Sequence, residues 1–321
     1  MKKVLVTGGG GFIGGHLISK LRSSYKVVSL DRKPLEKWYQ CFDDVENIVG
    51  ELADYDVCLK AIDGVDAVFH LACNMGGMGF IENHKAECMM SVIPDTFMLK
   101  ACKENNVNKF IFTSSACVYP KHLQNSANPK PLHESDAYPA DSEDGYGWEK
   151  LFIERMCRHY MEDYGMDTKV IRFHTIYGPN GTWEGGREKA PAALARKVIN
   201  AKYTGEKTIE VWGDGEQVRS FLYIDDCVEG ILSVFNSNIH GPINVGSEIL
   251  ISVNDMVSAY EEFAGIKVDR KHILDAPLGV RGRNSDSTML KNLGWVENNK
   301  VYDGLKKTFD WIEEQYKKKY L

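Results

Sequence analysis

No stretch of this chain approaches the roughly 18 consecutive apolar residues that a membrane-spanning helix needs. Met1-Lys2-Lys3 runs directly into a strand-like segment, without the apolar core of a signal peptide. Both absences lead to the expectation of a cytoplasmic protein with no membrane partner. Eight cysteines, at 41, 58, 73, 88, 102, 117, 157 and 227, include no C-x-x-C pair, which points away from a zinc site or a disulfide framework, so no metal is expected. Excess positive charge is also missing. The net charge of −6 gives no reason to expect nucleic acid as a partner, although a local basic cluster remains compatible with a nucleotide diphosphate. There is no internal repeat and no low-complexity linker. What remains is an ordinary globular composition, with 43% hydrophobic residues in 321, enough to bury a large core in one or two domains.

The amino terminus is the first informative segment. Lys3-Val4-Leu5-Val6-Thr7 reads as a short buried strand, Gly8-Gly9-Gly10-Gly11-Phe12-Ile13-Gly14 as a turn, and a helix follows with Ile13, Leu17 and Leu21 on one face. Gly9, Gly11 and Gly14 satisfy G-x-G-x-x-G, the spacing in which glycines permit a tight turn, close approach to a pyrophosphate and close helix-on-strand packing. Gly8, Gly11, Phe12, Ile13 and Gly14 are therefore the expected dinucleotide contacts. A second strand, Tyr25–Leu30, ends at Asp31, about where an acid should grip the adenosine ribose hydroxyls. An acid there repels a 2′-phosphate and favours NAD over NADP, with Arg32 and Lys33 as a counterweight.

Strand-like runs then alternate with helical stretches, which predicts an α/β fold: a Rossmann-type doubly wound parallel sheet with a smaller C-terminal substrate-binding region. Ala67–Ala72 and Lys109–Ser114 are two strands with a helix expected between them from about Lys85 to Asn105, and Lys169–Phe173 is another. The expected organisation is residues 1–173 as the NAD-binding domain, joined by 222–246, with 174–221 and 247–321 binding substrate. The final helix, expected from about Gly304, places Leu305, Phe309, Ile312 and Tyr316 on one stripe.

Chemistry is concentrated in Tyr146-Gly147-Trp148-Glu149-Lys150, preceded by Ser114-Ser115-Ala116-Cys117-Val118-Tyr119. Positions i and i+4 share a helix face, so Tyr146 and Lys150 can project together, and a cation beside a phenol is expected to lower its pKa toward that of a useful base. The spacing alone occurs by chance in many helices. Its company gives it weight.

These segments together resemble the extended short-chain dehydrogenase/reductase family of nucleotide-sugar enzymes over nearly the whole chain. The closer resemblance is to the GDP-mannose 3,5-epimerases. It rests on Asn74-Met75-Gly76-Gly77-Met78-Gly79-Phe80, on Ile176-Tyr177-Gly178-Pro179-Asn180-Gly181-Thr182-Trp183 running into Gly185-Gly186-Arg187-Glu188-Lys189-Ala190-Pro191, on Trp212–Ser220 and on Gly279–Asp286. The resemblance implies that Tyr146 takes the C4 hydroxyl proton while a hydride leaves C4, that Lys150 steadies phenolate and cofactor, and that Ser115 hydrogen-bonds the hydroxyl. It implies Cys117 and Lys189 as the acid/base groups for inversion, with the thiol's pKa expected to be lowered by a nearby cation. Glu51 and Leu52 join the cofactor contacts by the same likeness. Gly76, Ser115, Ala116, Cys117, Thr175, Glu188, Lys189, Ala190, Lys197, Gln217, Arg219 and Arg281 are the implied contacts of a GDP-hexose, and a homodimer is expected through helices around 85–105 and 146–164. Similar 4,6-dehydratases read Thr-Asp-Glu where this chain has Ser115-Ala116-Cys117, so the carboxylates for dehydration are missing. Thr175 replaces a usual asparagine, Glu51 an aspartate and Ser91 an asparagine. The first of these leaves open another nucleotide-sugar 4-epimerase or 4-dehydrogenase, and a silent NAD-binding regulator stands as the alternative of another class.

Overall fold

The computed structural model describes residues 1–321, and its largest element is a seven-stranded, all-parallel sheet. The strands are β1 (Lys3–Thr7), β2 (Lys26–Asp31), β3 (Glu46–Val49), β4 (Ala67–His70), β5 (Lys109–Ser115), β7 (Asp167–Phe173) and β11 (Pro242–Val245). Their order across the sheet is β3-β2-β1-β4-β5-β7-β11. Helices cover both faces, which is why strands such as Val4-Leu5-Val6 and Phe110-Ile111-Phe112 are continuously apolar rather than alternating. The chain reverses direction between β1 and β4, and there the carboxyl ends open a crevice of the kind that takes ligands in such sheets. Parallel register aligns Thr7 with Leu30 and His70, and Ser115 with Phe173, so these ends share one rim.

A second sheet combines β6 (Pro131–Leu132), β8 (Thr175–Tyr177), β10 (Val218–Tyr223), β12 (Leu250–Ser252) and β14 (Gly282–Ser285), and β9 (Thr208–Trp212) pairs with β13 (Asp269–Ile273). Residues 131–132, within the stretch expected to serve only the large sheet, thus belong to the second one. Helices Ala190–Thr204, Val253–Ala264 and Val301–Tyr320 pack together, and their apolar stripes run without interruption into the core beneath the large sheet. The crevice therefore lies between two parts that share one core.

Two local departures have clear causes. The single helix expected from Lys85 to Asn105 is instead Lys85–Met89 and Val92–Glu104, with a short helix Met78–Asn83 before them. Pro94 has no N–H to give the carbonyl of Met90, so Ile93 takes that carbonyl at 3.1 Å and the axis breaks around Ser91. The last helix begins a turn before Gly304. That glycine lets it lie against the second sheet, since a Cβ there would stand 2.2 Å from the Tyr177 hydroxyl.

Candidate active site

A cleft of about 880 Å³ follows the carboxyl rim of the large sheet. Its first half is built by the glycine turn. The residue in the left-handed region is Gly8 (φ +70), whose missing Cβ would lie 2.9 Å from Ala72 N, so the tight turn falls at Gly8 rather than at Gly9. Gly9 instead packs under Ser29. Gly14 is equally constrained, because a Cβ there would meet the Gly8 carbonyl oxygen at 2.2 Å. Helix Phe12–Leu21 has no side-chain cap and no acid in its first turn, leaving its amides and positive end free for an anion. Asp31, Glu51 and Leu52 line the same half of the cleft. Lys33 donates to the Gly10 carbonyl at 2.8 Å and Arg32 to Asn74 Oδ1 at 3.3 Å, so both cations next to Asp31 are engaged by the protein itself. These residues fit a dinucleotide: closed glycine positions for the pyrophosphate, an uncapped helix end and an acid for the ribose.

The second half is built on helix Asp144–Tyr164. Gly147 lets this helix press onto the loop after β5, since a Cβ would be 2.2 Å from the Cys117 carbonyl oxygen. Tyr146 then lies in one small apolar cluster with Phe80, Ile81, Cys88 and Cys117. Lys150 Nζ is 5.9 Å from the Tyr146 ring centroid and 4.7 Å from that of Phe112. Ser115 Oγ accepts the Cys117 N–H at 3.2 Å and lines the cleft with Tyr146.

The tyrosine's pKa is not lowered as expected; it is held well above the ordinary value. Burial is the main cause, reinforced by Cys73, and it outweighs Lys150. That ammonium stands 3.4 Å from both Asp95 Oδ2 and Glu149 Oε2, which blunts its pull on the phenol. Lys150 itself is kept firmly protonated, Asp95 overcoming the cost of burial.

Cys117 shows a second reversal. Burial pushes its thiol up, Glu143 adds to that, and Arg283 opposes both. The expected cation is present, with Arg283 Nη1 4.0 Å from Sγ, but its charge is taken by an ion pair with Glu143 and its Nε donates to Gln124 Oε1 at 2.5 Å. The thiol therefore rests protonated. Lys189, just before helix Ala190–Thr204, lines the cleft; burial lowers its pKa, and the charged influences on it are the thiols of Cys117 and Cys227 and Arg283, with no carboxylate among them. Arg219 is similar: its guanidinium donates to the Val218, Leu278 and Val280 carbonyls, and burial together with Arg283 brings its pKa down to about 9. Lys189 and Arg219, two half-buried cations without a carboxylate hydrogen-bonded to either, suit an anionic group.

Among the residues singled out from sequence, Gly76, Ser115, Lys189 and Tyr146 line the cleft. Ala116, Cys117, Lys150, Thr175, Glu188, Ala190, Lys197, Gln217, Arg219 and Arg281 do not. Glu188 pairs with Arg196 at 2.9 Å, Lys197 donates to the Glu210 carbonyl at 2.6 Å, and Arg281 pairs with Asp214 at 2.7 Å at the surface. Gln217 donates to the Trp212 carbonyl at 2.7 Å while its buried Oε1 has no partner. His174 reaches the cleft but stays neutral, with its pKa down at about 3 through burial, as fits a structural hydrogen bonder to Asn244. Sequence reasoning missed Glu143 and, although it weighed Arg283 beside Arg281, gave Arg283 no place in the site. It also missed Arg187, whose guanidinium lies 3.8 Å from the Phe80 ring centroid and donates to Asn74 Oδ1 at 2.9 Å, tying the two glycine-rich loops together.

A glycine-turn parallel sheet with a half-buried serine lining its cleft and a buried tyrosine and lysine beside it defines the class. Residues 4–246 match the model of the NAD dependent epimerase/dehydratase family, and the chain belongs to that family. It is 44% identical over 319 residues to GDP-mannose 3,5-epimerase 1 of Oryza sativa subsp. japonica and 43% identical over 320 residues to GDP-mannose 3,5-epimerase of Arabidopsis thaliana, in each case across 98% of this chain and 83% of the relative. The solved UDP-glucose 4-epimerase of Thermotoga maritima superposes with a TM-score of 0.87 over 98% of this chain and 99% of that one, at 24% identity, which marks the shared fold. No helix is long and apolar enough to cross a membrane.

Proposed function

We propose that this protein is an NAD-dependent epimerase that inverts C3 and C5 of GDP-mannose through a transient 4-keto sugar, giving GDP-L-galactose and, by inversion at C5 alone, GDP-L-gulose. The observation that carries this reading is that two unlike proton-transfer groups approach Tyr146: Cys117, packed in the same small cluster behind the cleft wall, and Lys189, which lines the cleft with Ser115 and Tyr146 and lies within electrostatic reach of the thiol. An enzyme that only inverts C4 needs neither.

Gly8, Gly11, Phe12, Ile13, Gly14, Asp31, Glu51 and Leu52 hold NAD, which when bound supplies the hydride acceptor for C4. Ser115 orients the C4 hydroxyl and Tyr146 removes its proton, with Lys150 stabilising the phenolate. The ketone acidifies the hydrogens on C3 and C5, because each carbanion is delocalised as an enolate. One of Cys117 and Lys189 takes such a proton and the other returns one to the opposite face. Lys189, its proton affinity reduced by burial, and Cys117, resting as a thiol, suit an exchange between acceptor and donor. The electrons then return to C4, so the net reaction is an isomerisation. By likeness to the family, Arg219, Arg281, Lys197 and Gln217 are assigned to the nucleotide diphosphate and Gly76, Ala116, Thr175, Glu188 and Ala190 to the sugar; of these only Gly76 lines the cleft in this structure, so Arg281 must exchange Asp214, and Lys197 the Glu210 carbonyl, for the phosphates. Residues 1–173 with 222–246 carry the dinucleotide, and 174–221 with 247–321 the sugar nucleotide. The protein acts in the cytoplasm as a homodimer, joined through the packed helices Lys85–Met89 and Asp144–Tyr164. Their surface leaves Met89 47%, Met90 58%, Trp148 44% and Phe152 53% exposed, an apolar area that a second copy would cover.

A panel of nucleotide sugars tests the substrate. GDP-mannose should raise the melting temperature most, since a ligand at a hundred times its dissociation constant adds about 2.7 kcal/mol. A larger shift from UDP-glucose, with none from GDP-mannose, refutes the assignment.

A further inference from the structure

Four buried polar side chains run in a line from the glycine turn to the tyrosine helix: Thr7, His70, Asp95 and Lys150. Thr7 Oγ1 accepts the N–H of Leu71 at 3.1 Å and of Ala72 at 3.2 Å, and lies 2.8 Å from His70 Nδ1. With both acceptor positions occupied, the hydroxyl has only its hydrogen to offer, so it donates to Nδ1. His70 must then carry its own hydrogen on Nε2 and donate it to Asp95 Oδ1 at 2.8 Å. This leaves Asp95 Oδ2 for Lys150 Nζ at 3.4 Å. Each hydrogen bond fixes the direction of the next. Glu149 completes the group: its Oε2 is also 3.4 Å from Lys150 Nζ, the side chain is buried, and neither carboxyl oxygen has a hydrogen-bond partner.

Two carboxyls thus share one ammonium where water cannot reach. One negative charge balances Lys150, and a second would stand uncompensated at high cost. The structure resolves this unequally. Burial pushes both carboxyls up, but Lys150 and His70 more than reverse that at Asp95, whereas Glu149 stays far above the carboxylate range and keeps its proton.

We propose that Asp95 is a positioning residue that keeps Lys150 charged and fixed beside Tyr146, and that Glu149 is a reserve carboxyl that takes over the negative charge when Asp95 cannot supply it. The proposal rests on the reading of Tyr146 and Lys150 as the catalytic pair. The groups that face Lys150 are Asp95 from helix Val92–Glu104, Tyr146, Glu149 and Cys157 from its own helix, and Cys73 from the loop after β4, with His70 acting through Asp95. The ring of Phe112 closes the side toward β5.

The test uses the full chain with NAD bound. Asp95→Asn and Glu149→Gln should each slow turnover at neutral pH by less than about tenfold, because the remaining carboxyl ionises in its place. Together they should slow it by at least about 10²-fold, the scale of a lost general base. The double variant should also gain a falling limb in its kcat profile across the neutral range, since a fully buried lysine without a counter-ion loses about 3–5 pH units of proton affinity, while KM for the sugar nucleotide stays nearly constant. A cycle of melting temperatures reads the same link without turnover. Asp95→Asn should lower Tm in the parent and raise it in Lys150→Met, where the carboxylate has lost its partner. Effects that simply multiply, an unshifted pH profile and additive melting overturn the proposal while Lys150→Met still abolishes turnover. Turnover that survives Lys150→Met instead removes the reading on which the proposal stands.

Discussion

Tyr146→Phe should yield a protein that folds, keeps its NAD and turns over about 10²–10⁴-fold more slowly. The ring packs in an apolar cluster with Phe80, Ile81, Cys88 and Cys117, and phenylalanine fills that space, so only the hydroxyl is lost. The pH dependence is the sharper readout. Burial holds the phenol well above its ordinary pKa, so at neutral pH only a small fraction is ionised, and that fraction grows tenfold for each pH unit gained. The parent kcat should therefore climb from neutral into alkaline pH, and the residual rate of the variant should not. Equal slopes for the two proteins would take Tyr146 out of the proton-transfer step.

Cys117→Ala should separate the two halves of the reaction. The thiol is 6% exposed and small, so its removal should cost stability by about 1 kcal/mol and leave NAD in place. Transient reduction of the cofactor by GDP-mannose should persist, because Ser115, Tyr146 and Lys150 remain. Solvent proton exchange into the sugar should fall by at least about 10²-fold, since Lys189 alone cannot serve both faces. Stopped-flow absorbance of the reduced nicotinamide and NMR of the sugar read these two quantities independently. Undiminished exchange would remove the cysteine from the mechanism.

Much of this was legible in the chain because it is local. A continuously apolar strand, a glycine turn and an amphipathic helix follow one another within residues 3–21, and Asp31 closes the next strand, so the dinucleotide half could be read residue by residue. The stripe Leu305, Phe309, Ile312 and Tyr316 was equally plain, and all four are buried. The choice between Gly8 and Gly9 was not, because in a run of four glycines the turn is set by a neighbour from another strand, Ala72. Pro94 was visible, and its missing N–H could have located the helix break. Charge balance was the hardest to see. Lys150 promised a lowered phenol and an unspecified cation a lowered thiol; the structure shows that cation to be Arg283, yet Asp95 and Glu143 neutralise both cations, and only the packing of distant segments brings those carboxylates in. Asp95 left one trace, as an acid sharing a helix face with Ser91, Met98, Leu99 and Cys102, all buried. Arg281 and Arg283 differ for a related reason: the second falls inside β14 and is carried to Cys117, whereas the first precedes the strand and turns to Asp214.

The most direct measurement is to run the holoenzyme on GDP-mannose in heavy water and locate deuterium in the sugar by NMR. Label at C3 and C5, with none at C4, is the predicted result. An unlabelled sugar recovered with its C4 configuration inverted would contradict the account.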